Sequence, residues 1–235
     1  LGKSASGAEA AGVVETAMMS EHPDLRIVGL RLARQTEYDV MEAVSRLSSD
    51  KIARVRRECL VALKTVSSDK VASVWADLAS QYDGEDRWYL EALGLAADGR
   101  WDACLAAWRK RTPQAEKTPA GRDILWRSRA RDSASRLADI ISDATTPVAD
   151  LPRYLRALDF QAQAPRQAAA LALITRDHGR DAGRANLVIR EAIRRVGNLD
   201  LSENEAARLA IARVANRQKG TAGFVGLVGR FNLED

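Results

Sequence analysis

The chain has 235 residues, enough for one large domain or two small ones. Apolar residues make up 46% and charged residues 29%, which excludes a wholly disordered chain and a collagen-like fibre. No apolar run approaches the roughly 18 residues of a membrane span, and a net charge of +4 is too mild to demand a nucleic-acid partner.

Alanine fills 41 positions along the whole length, and runs rich in Val, Ile, Thr and Tyr are nearly absent. Alanine and leucine favour helix, and the apolar period is 3.6 rather than 2. The predicted fold class is therefore all-α. The chain begins at Leu1 without a basic-then-apolar signal, and reads as a fragment or processed product of a larger protein. Residues Gly2–Ala8 are expected to fray ahead of a helix near Glu9–Met19. Pro23 suits a first helical turn after His22, and Thr36 offers a cap with Asp39 three residues on.

From Glu21 to about residue 110 the chain repeats. Leu25, Leu30 and Ala33 are followed thirty residues later by Val55, Leu60 and Leu63, and then by Leu90 and Leu93. A second series interleaves with the first: Val40, Val44 and Leu47, then Val71, Trp75 and Leu78, then Trp101, Leu105 and Trp108. Two amphipathic helices thus alternate within a unit of about thirty residues. A single pair cannot bury its apolar faces, so pairs must stack. The predicted architecture is an α-solenoid of stacked antiparallel helix pairs, six or seven in number. Arg26 and Arg56 sit beside the core positions and read as solvated or interhelical residues, with a ligand-binding row as the alternative.

Residues 111–122, with Thr112-Pro113 and Thr118-Pro119-Ala120-Gly121, read as a loop. Less regular helices are expected over Arg122–Arg131, Ser133–Ile141, Val148–Leu158, Pro165–Arg176, Arg184–Val196 and Glu203–Asn216. Ser202 and Glu205 have capping-box spacing. The tail 217–235 allows either a short last helix from Phe224 or a strand-like end leading into a domain that has been cut away. The whole of 1–235 reads as one helical-repeat domain.

The wording HPDLRIVGLRLA and DKIARVRRECLVALK, with Arg26, Arg56 and Arg57, resembles the second helix of the HEAT-repeat family. The likeness covers Glu21 to Trp108 well and Asp150 to Asn216 loosely. It implies an alpha-alpha superhelix, and no particular activity. Tyr82–Trp108 more narrowly resembles the helical-repeat region of modular membrane-bound dehydrogenases of planctomycetes and related bacteria. The likeness is carried by Asp86, Arg87, Trp88, Tyr89, Glu91, Gly94, Gly99, Trp101, Asp102 and Trp108. In that family the repeats follow a propeller domain and often precede a c-type cytochrome. The resemblance implies a non-catalytic spacer or docking module in a redox protein, and a periplasmic or otherwise extracytoplasmic setting. Without it, a cytoplasmic one is the default. No Cys-x-x-Cys-His haem motif occurs in the sequence.

Little in the sequence suggests chemistry. His22 and His178 stand far apart with no metal-binding spacing around them, so no metal or cofactor is expected. His22 fits a turn, and His178 fits a helix end. Cys59 and Cys104 read as buried small hydrophobes, with a disulfide between them as the lesser alternative. The carboxylates Glu85, Asp86 and Glu91 read as helix-face residues rather than an acid–base set.

Trp75, Trp101 and Trp108 belong to the core series, whereas Trp88 and Tyr89, opening a helix after an acidic turn, are candidates to flank a groove and Trp126 is the favoured exposed aromatic. From Arg100 to Arg136 there are ten basic and four acidic residues. The expected interaction surface comprises Arg87, Trp88, Arg122, Trp126, Arg127, Arg129, Arg131 and Arg136. Its partner would be a protein or another domain of the same polypeptide. The rival reading is nucleic acid, with Arg122, Arg129 and Arg136 on one helix face if a single helix runs through them. That reading draws on DNA glycosylases built wholly from HEAT-like pairs.

Overall fold

A computed structural model describes residues 7–197 and 204–233. Among them are fourteen α-helices, three short 3-10 turns and no strand, so the all-α expectation holds. The chain divides into two compact units, Leu1–Ala130 and Arg131–Asp235.

The first unit contains α1 (Gly7–Met18), α2 (Pro23–Ala33), α3 (Val40–Leu47), α4 (Ala53–Leu63), α5 (Val71–Ala79), α6 (Arg87–Ala96), α7 (Trp101–Arg111) and α8 (Pro119–Arg127). Helices two apart in sequence pack together: α2 on α4, α4 on α6, α6 on α8, and α5 on α7. The thirty-residue register is the cause. Leu30, Leu60 and Leu90 are all buried, as are Ala33, Leu63 and Leu93. The interleaved series meets the same fate. Trp75 is fully buried, donates its indole N–H to the Leu93 carbonyl at 2.9 Å, and meets Trp101 edge-on with ring centroids 5.9 Å apart. Trp101 and Trp108 are buried as expected.

The register slips at one place. Leu25, expected in the core, is 47% exposed, and its neighbour Arg26 is buried instead. Arg26 clasps Asp50 with two hydrogen bonds of 2.6 and 3.0 Å, and donates to the carbonyls of Ser20 and Glu21 at 2.9 and 3.0 Å. Burial alone would raise the Asp50 carboxyl, but the Arg26 hydrogen bonds, the Ile52 N–H and the charges of Arg26 and Arg56 together outweigh it and hold that group below its ordinary range. Arg56 donates to the Asp50 carbonyl at 2.7 Å and lies over the Tyr89 ring. Both arginines are interhelical ties, not a ligand row.

Helix starts follow the capping rules, with corrections. Asp39, not Thr36, caps α3, accepting from Met41 and Glu42; the Thr36 hydroxyl instead donates to the Leu32 carbonyl. Pro23 occupies the first turn of α2 as read. The predicted loop 111–122 is shorter, because Thr118 caps α8 and Pro119 opens it, two residues that start helices as well as break them. Gly29 lets α1 lie close on α2: a Cβ there would meet the Met18 backbone nitrogen at 2.9 Å.

The second unit contains α9 (Ser133–Ser142), α10 (Leu151–Ala157), α11 (Gln163–Thr175), α12 (Ala182–Ile193), α13 (Glu205–Asn216) and α14 (Ala222–Phe231). Here α11 packs between α9 and α13, and α12 contacts α10. The tail is thus helical, beginning at Ala222. Ser202 of the expected capping box lies outside the described residues; Asn204 caps α13 through the Ala207 N–H at 2.9 Å. Arg184, only 5% exposed, donates to the carbonyls of Thr146, Ile141 and Asp143 at 2.6, 2.8 and 2.7 Å and so closes the end of α9.

Candidate functional site

The repeat that buries positions 30, 60 and 90 presents the positions beside them along the same column of helices. Positions 28, 58 and 88 form one row of the thirty-residue register, and 31, 61 and 91 another. Across these rows, within the first unit, runs a groove of about 550 Å³. Its floor is apolar, formed by Val61 of α4 with Trp88, Ala92 and Leu95 of α6. The α6 residues are spaced to share one helix face. Its charged walls are Arg31 of α2, Arg57 and Glu58 of α4, Glu91 of α6 and Arg127 of α8.

Trp88 is 71% exposed, and Leu95 of the same floor is 38% exposed. Asp86 fixes the start of this helix by accepting from the backbone N–H groups of Trp88 and Tyr89 at 2.8 and 3.1 Å. The Tyr89 hydroxyl anchors the opposite face by donating to the Leu78 carbonyl at 2.9 Å, and burial pushes its pKa up to about 12. The helix is thus pinned from behind while Trp88 faces solvent.

Charge in the walls is unevenly shared. Glu58 is held by Arg31 at 3.0 Å and by Arg34 at 3.8 Å. Glu91 is held by Arg127 at 2.9 Å and by Arg87 at 3.9 Å. Each carboxylate therefore faces two guanidinium groups. A further pair joins Arg57 to Asp86 at 3.2 Å. Arg127 lies flat against the backbone of α6: a Cβ on Gly94 would meet its Nε at 2.6 Å and its Nη2 at 2.7 Å. Burial and the neighbouring Arg127 pull the Arg129 guanidinium below its usual range, with Glu91 opposing them.

No known family model, curated protein or solved structure matches the chain.

The structure gathers part of the predicted surface and separates the rest. Trp88 and Arg127 line the groove, and Arg87 reaches it through Glu91. Arg122 is half-buried on α8, while Arg129 is exposed just beyond it and donates to the carbonyls of Arg127 and Ser128. Trp126 is half-buried, so Trp88 rather than Trp126 is the more exposed indole of the two. Arg131 and the Asp132-bonded Arg136 are exposed in the second unit. No single helix carries Arg122, Arg129 and Arg136, because α8 ends at Arg127 and α9 begins at Ser133. Sequence reasoning missed Arg31, Glu58, Val61 and Leu95. The signal that finds them is the thirty-residue register itself, applied one step off the core positions.

Groups with intrinsic reactivity are placed elsewhere. Cys59 and Cys104 are free, buried thiols; burial pushes Cys59 far up and Cys104 up to about 12. Neither is a nucleophile at neutral pH. Asp86 is occupied as a helix cap and an Arg57 partner rather than set out as an acid or base. No cluster of three metal-ligating side chains occurs among the described residues. No described helix is long and apolar enough to cross a membrane. In the second unit a smaller cavity of about 330 Å³ lies beside His178, Asn186 and Arg213. His178 is buried three residues beyond the end of α11, with Nε2 2.6 Å from the carbonyl of Leu173 in that helix's last turn.

Proposed function

We propose that the chain is a non-catalytic helical-repeat module, each unit a stack of antiparallel helix pairs, that binds a protein segment in the groove of the first unit. The observation that carries this reading is Trp88: a large aromatic at the solvent-facing side of a rigidly anchored helix, with Val61, Ala92 and Leu95 beside it. Aromatic residues with arginines around them are the usual anchors of protein interfaces. The burial of Leu30, Leu60 and Leu90 supports the stacked arrangement, because a repeated register places side chains thirty residues apart at matching depth. The likeness of Tyr82–Trp108 to the repeats of membrane-bound dehydrogenases supports a docking or spacer role inside a larger redox protein.

Site-specific photocrosslinking tests this. A photoreactive amino acid at position 88 should trap a partner or another domain of the parent polypeptide. The same group at position 106, exposed on α7, should not. Equal trapping at both positions, or none at 88, would refute the reading.

A further inference from the structure

The groove's charge pattern specifies its occupant. We infer that it takes an extended acidic protein segment with an aliphatic or aromatic side chain between two carboxylates, an inference that rests on the groove being a binding site.

Three observations converge. First, Glu58 and Glu91 each face two arginines, so a positive excess remains at both places, on adjacent helices α4 and α6. A second carboxylate at either place completes a pairing that the chain leaves half made. Arginine's planar fork holds two carboxylate contacts without losing its charge. Second, the floor between these places is apolar, and it includes Trp88, Val61 and Leu95. A fully charged ligand would leave that floor uncovered. An apolar side chain flanked by acids covers it.

Third, Arg127 is seated rather than merely present. Glycine within a helix such as α6 is unfavourable relative to alanine. Here it creates the bed on which the Arg127 guanidinium lies, beside Glu91 and turned to the groove.

Geometry sets the spacing. Packed helices lie about 8–10 Å apart, and an extended chain advances about 3.3 Å per residue, so the two acids should stand about three residues apart. A nucleic acid fits less well, because Glu58 and Glu91 stand in the walls where a continuous phosphate backbone would run.

The test is selection of a random peptide library of about twelve residues, displayed on phage, against the full chain. The enriched peptides are then measured in solution by fluorescence anisotropy, beside duplex and single-stranded DNA of random sequence. Enriched peptides should carry two acids around an apolar residue and should bind more weakly as salt is raised. Arg127→Ala and Trp88→Ala should each weaken binding at least about fivefold. Gly94→Ala should do the same while leaving the chain at least as resistant to urea, which separates a lost seat from a lost fold. Enrichment of neutral or basic peptides, no enrichment, unchanged binding by Gly94→Ala, or tighter binding of DNA would each overturn the inference. Crosslinking at position 88 together with failure of acidic peptides would keep the groove and discard the acidic occupant.

Discussion

Replacing Arg184 with alanine removes three hydrogen bonds at once, to the carbonyls of Thr146, Ile141 and Asp143. A hydrogen bond to a charged group contributes about 1.5–3 kcal/mol, but three made by one side chain do not add. The Asp143 carbonyl also accepts from the Thr146 N–H at 3.0 Å, so the larger losses fall on the other two. Stranding buried carbonyls, together with the lost packing of the arginine stem, brings the expected cost to about 3–4 kcal/mol. Arg184→Met keeps most of the stem and should cost about 2–3 kcal/mol, isolating the polar share. Urea denaturation followed by circular dichroism gives the total, and amide exchange at the end of α9 shows where it falls. A loss under about 1 kcal/mol for both variants would refute the view that Arg184 closes the end of α9 at a real gain in stability.

Gly29→Ala should destabilise the first unit by about 1–3 kcal/mol, because the added methyl meets backbone of α1 rather than a yielding side-chain end; a thermal melt checks this. His178 has a pKa lowered from its ordinary 6.5 by burial and the nearby Arg184 and Arg176, against opposing contributions from the Leu173 carbonyl and Asp177. Its contribution to stability is therefore fully present above about pH 6.5 and declines as pH falls below it, when the unfolded chain takes up a proton that the folded chain resists. Denaturation between pH 7 and pH 5 should show that slope, and His178→Gln should flatten it. Cys59 and Cys104 should react with a thiol reagent at neutral pH only at the rate of unfolding, and reach full reaction in denaturant.

The core was legible because burial in a helical repeat depends on local spacing. Leu30, Leu60 and Leu90 announce themselves through apolar periodicity alone. Arg26 does not, since its burial depends on Asp50, twenty-four residues away, and on carbonyls that no pattern displays. The same limit hid the seat of Arg127. Gly94 looks like a weak point in a helix until the guanidinium above it is placed. Residues 118–121 misled for a different reason: threonine followed by proline starts a helix as readily as it ends one. Of the candidate site, Trp88 and Arg127 were readable, whereas the partners that α2 and α4 bring to them required the register to be followed onto the surface.

The chain's arginine content has a physical origin in the ties made by Arg26, Arg56, Arg100 and Arg184, all of which reach main-chain oxygens at the ends or connections of neighbouring helices. Arginine supplies 29 of the 36 basic residues, so a basic isoelectric point here partly records masonry rather than an appetite for polyanions. A chain with lysine at those four sites would carry the same formal charge and titrate almost identically. It would lack the rigid forks with which Arg26 and Arg184 grip several carbonyls at once, and its helices would be held by a weaker joint.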